Sequence, residues 1–158
     1  MKPWLILLLT AICAGPTPAQ KHTAKPPFTL VLTAEKPTVS LGSDVWVKIR
    51  WTNTSDQSLD VSANILDATN VDPNFLFELL DASGHPVPRK VYRFPQNFGH
   101  ADFGTLKAGD SITHDVNLVR LFDLKHPGKY TLQVSRRAPQ ALGGGTIKSN
   151  IITITVSQ

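Results

Sequence analysis

Apolar and polar side chains alternate through most of the chain after residue 27. The clearest case is residues 45–51, where valine, isoleucine and tryptophan side chains alternate with Trp46, Lys48 and Arg50. A period of two is typical of a β-strand that turns one face to a core and the other to water. This segment therefore predicts a strand with its odd-numbered side chains buried and Trp46 facing outward beside two cations.

The same period predicts further strands, separated by turns rich in Gly, Asn, Asp and Ser. Residues 75–80 are apolar on both faces, which predicts a central strand. Residues 119–124 are long enough only for one helical turn. We count seven to nine strands, which favours a single all-β domain over residues 28–158 with the architecture of an antiparallel β-sandwich. The other predicted strands are 28–33, 37–41, one beginning at Leu59, 87–94, 112–118, 130–134 and 147–156.

The first nineteen residues have the pattern of an export signal. Lys2 precedes a short apolar run, and small residues and prolines follow it, with cleavage expected after Ala19 or Ala14. The run has about half of the roughly 20 residues that cross a bilayer, so a permanent anchor is the less favoured alternative. Residues 20–27 are then a polar, proline-rich leader. This pattern predicts a secreted or periplasmic protein with no membrane span after signal removal.

Composition narrows the class of protein. Hydrophobic residues make up 41% and charged residues 18%, which is enough for a folded core. After residue 19 there are fifteen basic and twelve acidic residues, a net charge of +3 that is too small and too scattered to predict nucleic-acid binding. The one cysteine, Cys13, lies in the signal, so the exported chain is expected to be stable without disulfides.

Four strand-and-turn segments carry a family resemblance: Trp51–Ser55, Phe77–Val87, Leu106–Ser111 and Pro127–Leu132. Their order resembles immunoglobulin-like β-sandwich modules of secreted microbial proteins. It is similar to the bacterial proteinase-inhibitor family with this fold, and to the β-sandwich before the catalytic domain of deuterolysin-like metalloendopeptidases. The resemblance implies an immunoglobulin-like fold over about residues 28–156, and it assigns no inhibitory or catalytic residue to a position here.

The residues offer little for catalysis. The five histidines lack the close spacing of a zinc-hydrolase helix, and no nucleophile elbow occurs, so we expect neither an enzyme nor a cofactor nor a catalytic metal. His114 lies in phase with the core face and is expected to be buried. The oxygen-rich stretch 67–74 is interpreted as a plain loop in preference to a calcium site. Asn53-Thr54-Ser55 is formally a glycosylation acceptor.

The segment 84–105 is longer than an ordinary connection and is rich in arginine and aromatic residues, which dominate protein-binding hot spots. We therefore predict a non-catalytic module that binds a protein partner of unknown identity and oligomeric state. A structural module without a dedicated site, a proteinase-inhibitor-like module and carbohydrate binding through Trp46 or Tyr92 stay open as alternatives. The predicted partner-binding residues are Arg89, Tyr92, Arg93, Phe94, Phe98 and Phe103 in the segment, together with Trp46.

Overall fold

The computed structural model describes residues 25–62, 66–67, 70–71, 75–90 and 103–158. These residues form twelve strands, one turn of α-helix and a short 3-10 turn over Gln140–Leu142, so the all-β class is confirmed. The number of strands exceeds the predicted seven to nine because several have only two or three residues. The elements are β1 (Phe28–Ala34), β2 (Thr38–Ser40), β3 (Trp46–Asn53), β4 (Leu59–Ser62), β5 (Leu66–Asp67), β6 (Asn70–Val71), β7 (Phe75–Leu80), β8 (Phe103–Leu106), β9 (Ser111–Asn117), α1 (Leu118–Leu121), β10 (Gly128–Arg137), β11 (Thr146–Lys148) and β12 (Ile152–Ser157).

A three-stranded antiparallel sheet has the order β1-β3-β9. Its middle strand confirms the alternation found in the sequence. Val47, Ile49 and Trp51 are at most 2% exposed, whereas Lys48 and Arg50 between them are exposed. One face of this sheet is therefore part of the core and the other meets solvent.

A five-stranded sheet is built around β10, the longest strand. β10 pairs with β12 and β11 along one side and with β7 along the other, and β2 extends the sheet by a parallel pairing with β12. Tyr130, Leu132 and Val134 of β10 are buried, as their spacing predicts. Two small antiparallel pairs, β4 with β8 and β5 with β6, complete the described sheets.

Both large sheets contribute to one hydrophobic core. Trp51 of the first sheet lies edge-on to Phe28 and Phe75, with ring centroids 5.5 and 6.1 Å away. The Arg136 guanidinium of β10 lies 4.3 Å from the Trp51 ring centroid and 4.8 Å from that of Phe75. Aromatic pairs and a cation over a ring add to the area burial that holds the two sheets together.

Three predicted strands differ from the structure. β7 is not central among the described residues: apart from its pairing with β10 it is joined only near its end, where Leu80 is bridged to Pro86 and Leu79 accepts from Val87, and Leu76 is 59% exposed. The predicted strand 147–156 is interrupted, because Ser149 is hydrogen-bonded opposite Val134 whereas Ile152 is opposite Leu132. The extra residue there is a β-bulge, which the apolar pattern does not reveal.

The third difference is the segment predicted to pair from Val87 onward. The Val87 amide donates to the Leu79 carbonyl at 2.8 Å, so pairing with β7 begins as expected. At Arg89 the chain pairs instead with Phe122, just after α1, and residues 91–94 lie outside the described residues. No helix in the described part of the chain is long and apolar enough to cross a membrane.

Candidate interaction surface

Trp46 begins β3 and is directly opposite Asn117, the last residue of β9. Its side chain is 37% exposed, so the predicted outward orientation is confirmed. Lys48 and Arg50 follow it on the same solvent-facing side of the strand. A large aromatic side chain at a strand end, with water on one side, offers contact area to a partner at little entropic cost.

The two cations that follow Trp46 on β3, Lys48 and Arg50, differ in how strongly they are bonded to neighbouring side chains. The Lys48 ammonium lies 2.7 Å from Asp115 Oδ1 on the neighbouring strand. The hydrogen bond to Asp115, and then its charge, raise the pKa of Lys48 above its ordinary value. Arg50 makes only a long contact of 3.4 Å to the Ser111 hydroxyl. Lys48 is therefore paired with a carboxylate of the neighbouring strand, whereas no carboxylate among the described residues lies within ion-pairing distance of Arg50.

Asn117 joins Trp46's strand to the helical turn that follows β9. Its side-chain Oδ1 accepts from the amides of Val45 and Val119, at 3.3 and 3.2 Å, and so caps α1. Its Nδ2 donates to Asp44 at 2.7 Å, and the Leu118 amide donates to the Val45 carbonyl at 2.9 Å. α1 is therefore fixed against the residues on either side of Val45, immediately next to Trp46.

The segment before the undescribed residues 91–102 returns onto the same helical turn. Arg89 is bridged to Phe122, and the Lys90 amide donates to the Leu121 carbonyl at 2.8 Å. The Lys90 ammonium donates to the Val119 carbonyl at 2.5 Å. Trp46 is therefore paired with the residue before α1, whereas Arg89 and Lys90 pair with the residue after α1 and with α1 itself, although Trp46 and Arg89 are 43 positions apart in the sequence.

These residues define a candidate surface that we call the α1 surface: Trp46, Arg89, Lys90 and Arg120. Arg120 is exposed in the last turn of α1 and was not predicted as a site residue. Its isolated position in an apolar run, Leu118–Leu121, gives no signal of a partner, and only the return of residues 89–90 brings it together with the predicted residues. The surface can supply an aromatic face and several cationic hydrogen-bond donors.

The remaining predicted site residues are not tested. Tyr92, Arg93, Phe94 and Phe98 lie outside the described residues. Phe103 begins β8, and its side chain lies outside the described part as well. The prediction that they bind a partner stays a prediction, while Trp46 and Arg89 have solvent-facing positions.

The sequence also singled out His114 and the oxygen-rich stretch 67–74, and the structure describes side chains only for the first of these. His114 is 8% exposed on the core side of β9, as its phase predicts. The side chains of 67–74 lie outside the described residues. Within the described ranges, no group of three or more His, Cys, Asp or Glu side chains is placed to hold a metal ion.

The formal glycosylation acceptor is occluded. Asn53 is 0% exposed, and its Nδ2, the atom that would carry a glycan, donates to the carbonyls of Gln57 and Leu106 at 2.7 and 2.9 Å. Its Oδ1 accepts from the Ser55 amide and hydroxyl at 3.0 and 2.7 Å. The folded chain therefore uses this asparagine as a structural connection and does not present it to an enzyme.

Comparisons with known proteins give no further assignment. Neither a protein-family model nor a curated protein matches this chain.

Proposed function

We propose that this protein is a secreted, non-catalytic module with an immunoglobulin-like β-sandwich fold, and that it binds a protein partner. The fold part is supported by two largely antiparallel sheets whose buried faces share one core. Buried alternate side chains on both sheets are what a sandwich requires. The export part rests on the signal pattern of residues 1–19.

The observation that carries the binding proposal is the position of Trp46. An exposed tryptophan leaves apolar ring surface in contact with water, which is unfavourable for the free protein. The Trp46 side chain lies on the solvent-facing side of β3, so the core does not need its ring. The Asn117 hydrogen bonds hold α1 and the start of β3 together, so the backbone that carries Trp46 and Arg120 is fixed before a partner arrives. Preorganised aromatic and arginine side chains are the usual anchors of protein interfaces.

The predicted segment 84–105 contributes to the same surface through Arg89 and Lys90, which contact α1. A binding site centred on α1 therefore includes two of the predicted residues, Trp46 and Arg89.

Affinity capture from the culture medium and envelope fraction of the source organism tests the proposal. The double variant Trp46→Ala/Arg89→Ala should recover at least tenfold less of a specific partner than the native protein. The matched control is Leu76→Ala/Arg137→Ala, which removes an exposed apolar side chain and an exposed arginine from the other sheet. Equal recovery by both double variants would reject the α1 surface and favour a structural module without a dedicated site.

A further inference from the structure

The predicted signal cleavage decides which residues begin the exported chain. Cleavage after Ala19 leaves Gln20, Lys21 and His22 as the first three residues. A histidine then occupies the third position behind a free α-amine, and neither of the two residues after the first is a proline. Both therefore have a backbone N–H, which proline lacks.

These three residues carry four nitrogen donors that one metal ion can reach together. They are the α-amine of Gln20, the backbone nitrogens of Lys21 and His22, and Nδ1 of the imidazole. Coordination of all four closes chelate rings of five, five and six atoms, and the two amide protons leave to solvent as the metal binds. Tetragonal nitrogen sets select Cu²⁺ or Ni²⁺, and Cu²⁺ has the highest affinity among the divalent first-row metals.

The described fold begins just after these residues. The Thr54 hydroxyl donates to the Pro26 carbonyl at 2.6 Å, and the Thr54 amide donates to the Pro27 carbonyl at 3.0 Å. β1 then begins at Phe28, whose side chain is fully buried. The chain is therefore anchored to the turn after β3 from Pro26 onward, four positions after His22. Residues 20–22 lie outside the described residues, and consecutive residues supply the whole donor set without help from the fold.

From these observations we infer that the exported chain binds one Cu²⁺ at its N-terminus, through the amine of Gln20, the next two backbone nitrogens and Nδ1 of His22. The compartments that receive exported proteins are oxidising, and the exported chain has no thiolate to favour Cu⁺, because Cys13 leaves with the signal. The inference goes beyond the proposed function and rests only on its export part, since the α-amine exists only after cleavage at Ala19. It requires no residue of the α1 surface.

The described residues offer a matched control for this site. No group of three or more His, Cys, Asp or Glu side chains among them is placed to hold a metal ion. His126 is exposed there, so it presents an imidazole to solvent without the adjacent amine and amides. His126→Ala therefore removes an accessible imidazole and leaves the N-terminal donor set complete.

The test uses the full chain, expressed with its signal in an exporting host and purified from the exported fraction. Mass spectrometry of the N-terminal peptide first identifies the cleaved bond. Cu²⁺ is then titrated against a competing chelator of known affinity and followed by the visible absorption of copper with four nitrogen ligands. One Cu²⁺ per chain should bind. Ni²⁺ should compete for the site, and Zn²⁺ should not, because zinc prefers a tetrahedral set.

Two substitutions at Lys21 test the backbone ligands directly. Lys21→Pro removes one N–H and leaves His22 in place, whereas Lys21→Ala keeps the N–H and removes only the side chain. Groups that merely orient a metal ligand cost about 10–100-fold in affinity when replaced, so Lys21→Pro and His22→Ala should each weaken Cu²⁺ binding by at least about 100-fold. Lys21→Ala and His126→Ala should leave the affinity unchanged.

Three results would overturn the inference. Cu²⁺ binding by Lys21→Pro as tight as by the native chain would place the ion elsewhere. An exported chain that begins at Gly15 would lack the site, because its second residue is Pro16 and its third, Thr17, has no imidazole. A Gln20 that has cyclised with loss of ammonia would also lack it, since its amine nitrogen is then part of an amide.

The proposed function is decided by a separate measurement. Partner capture depends on Trp46 and Arg89, which all of these variants retain. A His22→Ala chain that loses Cu²⁺ and still captures the partner would support both proposals. A native chain that captures the partner but binds no Cu²⁺ would overturn the metal site and leave the α1 surface in place.

Discussion

Asn53 is the residue whose replacement should destabilise the fold most for the number of atoms removed. It is fully buried at the end of β3, and its side chain makes four hydrogen bonds, of which the one to the Leu106 carbonyl is itself buried. Asn53→Ala leaves the Leu106 carbonyl without this donor. Gln57 and Ser55 are nearer to solvent, so their groups recover bonds to water.

The magnitude follows from these contacts. An orphaned buried carbonyl costs about 1–3 kcal/mol, and each bond exchanged for water about 0.5–1 kcal/mol, so Asn53→Ala should lower the free energy of unfolding by about 3 kcal/mol. For a domain of this size that is a fall of about 10 °C in Tm. Urea unfolding, followed by the fluorescence of the buried Trp51 two residues away, measures the change.

Asn53→Asp adds a pH dependence. The new carboxylate would place one oxygen against the carbonyls of Gln57 and Leu106, where the amide nitrogen donated. Burial and these oxygens raise the folded-state pKa of the carboxyl above its unfolded value of about 3.9. The loss relative to the native protein should therefore be smallest below about pH 4 and grow as the pH rises through the folded pKa.

The matched control is Gln57→Ala, which changes an exposed side chain of the same turn and leaves its backbone carbonyl in place. It should alter Tm by no more than a degree or two. An Asn53→Ala variant as stable as Gln57→Ala, or an Asn53→Asp variant whose relative stability is the same at pH 4 and pH 7, would refute the assignment of Asn53 as a buried connection.

Three other predictions concern features of the same kind. In the folded protein Asn53 should carry no glycan, so incubation of native protein with a eukaryotic oligosaccharyltransferase and donor should leave its mass unchanged. Glycosylation of a protein that keeps the native Tm would contradict the occlusion. Asn150→Ala removes the amide that bonds both backbone groups of Leu32, at 2.8 and 3.1 Å, and should cost about 1–2 kcal/mol and speed hydrogen exchange at the Leu32 amide, with Lys148→Ala as the control. Asp81 accepts from the amides of His85 and Ser83, and the hydrogen bond from His85 is the main cause that lowers its pKa below the ordinary 3.8. Its contribution is therefore present above about pH 3.8 and lost as the pH falls through the lowered pKa, so Asp81→Ala should be less stable than native protein at pH 6 and approach it near pH 2; a gap of constant size would exclude the carboxylate as the cause.

The sequence predicts best what short-range alternation controls. Strand β3 was predicted with its correct buried and exposed faces because a period of two decides the face locally. The central position predicted for β7 is not found among the described residues: Leu76 is apolar yet exposed, and composition does not distinguish an exposed leucine from a buried one. The break at Ser149 depends on its hydrogen bonds to Val134 and on those of Asn150 to Leu32 in the other sheet, and no local pattern in the sequence indicates either.

The candidate site shows the same division. Trp46 could be selected from the sequence because it stands out of phase with its apolar neighbours. Arg120 could not be selected from the sequence, since it becomes a candidate only because Arg89 and Lys90 pair with α1 and the residue after it, about thirty positions away. The sequence also could not reveal that Asn53 is occluded. The glycosylation motif is defined by three adjacent residues, whereas the side-chain amide is occupied by the carbonyl of Leu106, which is distant in sequence.

Three asparagines connect parts of this fold that are distant in sequence, and each does so through hydrogen bonds between its side-chain amide and backbone groups of another segment. Asn53 joins the end of β3 to Leu106 of β8, Asn117 joins α1 to Val45, and Asn150 joins the bulge before β12 to Leu32 of β1. Because the chain has a single cysteine, no internal disulfide can fix these segments. An amide both donates and accepts, so it can satisfy strand-edge groups that would otherwise be open to another chain. The Asn117 connection is the one that also places Trp46 beside α1. On this reasoning an asparagine side chain that stabilises the fold in place of a cross-link also preorganises the proposed binding surface. Replacement of Asn117 should therefore lower both stability and partner binding. Replacement of Asn53 should lower stability alone, and replacement of Trp46 should lower partner binding alone.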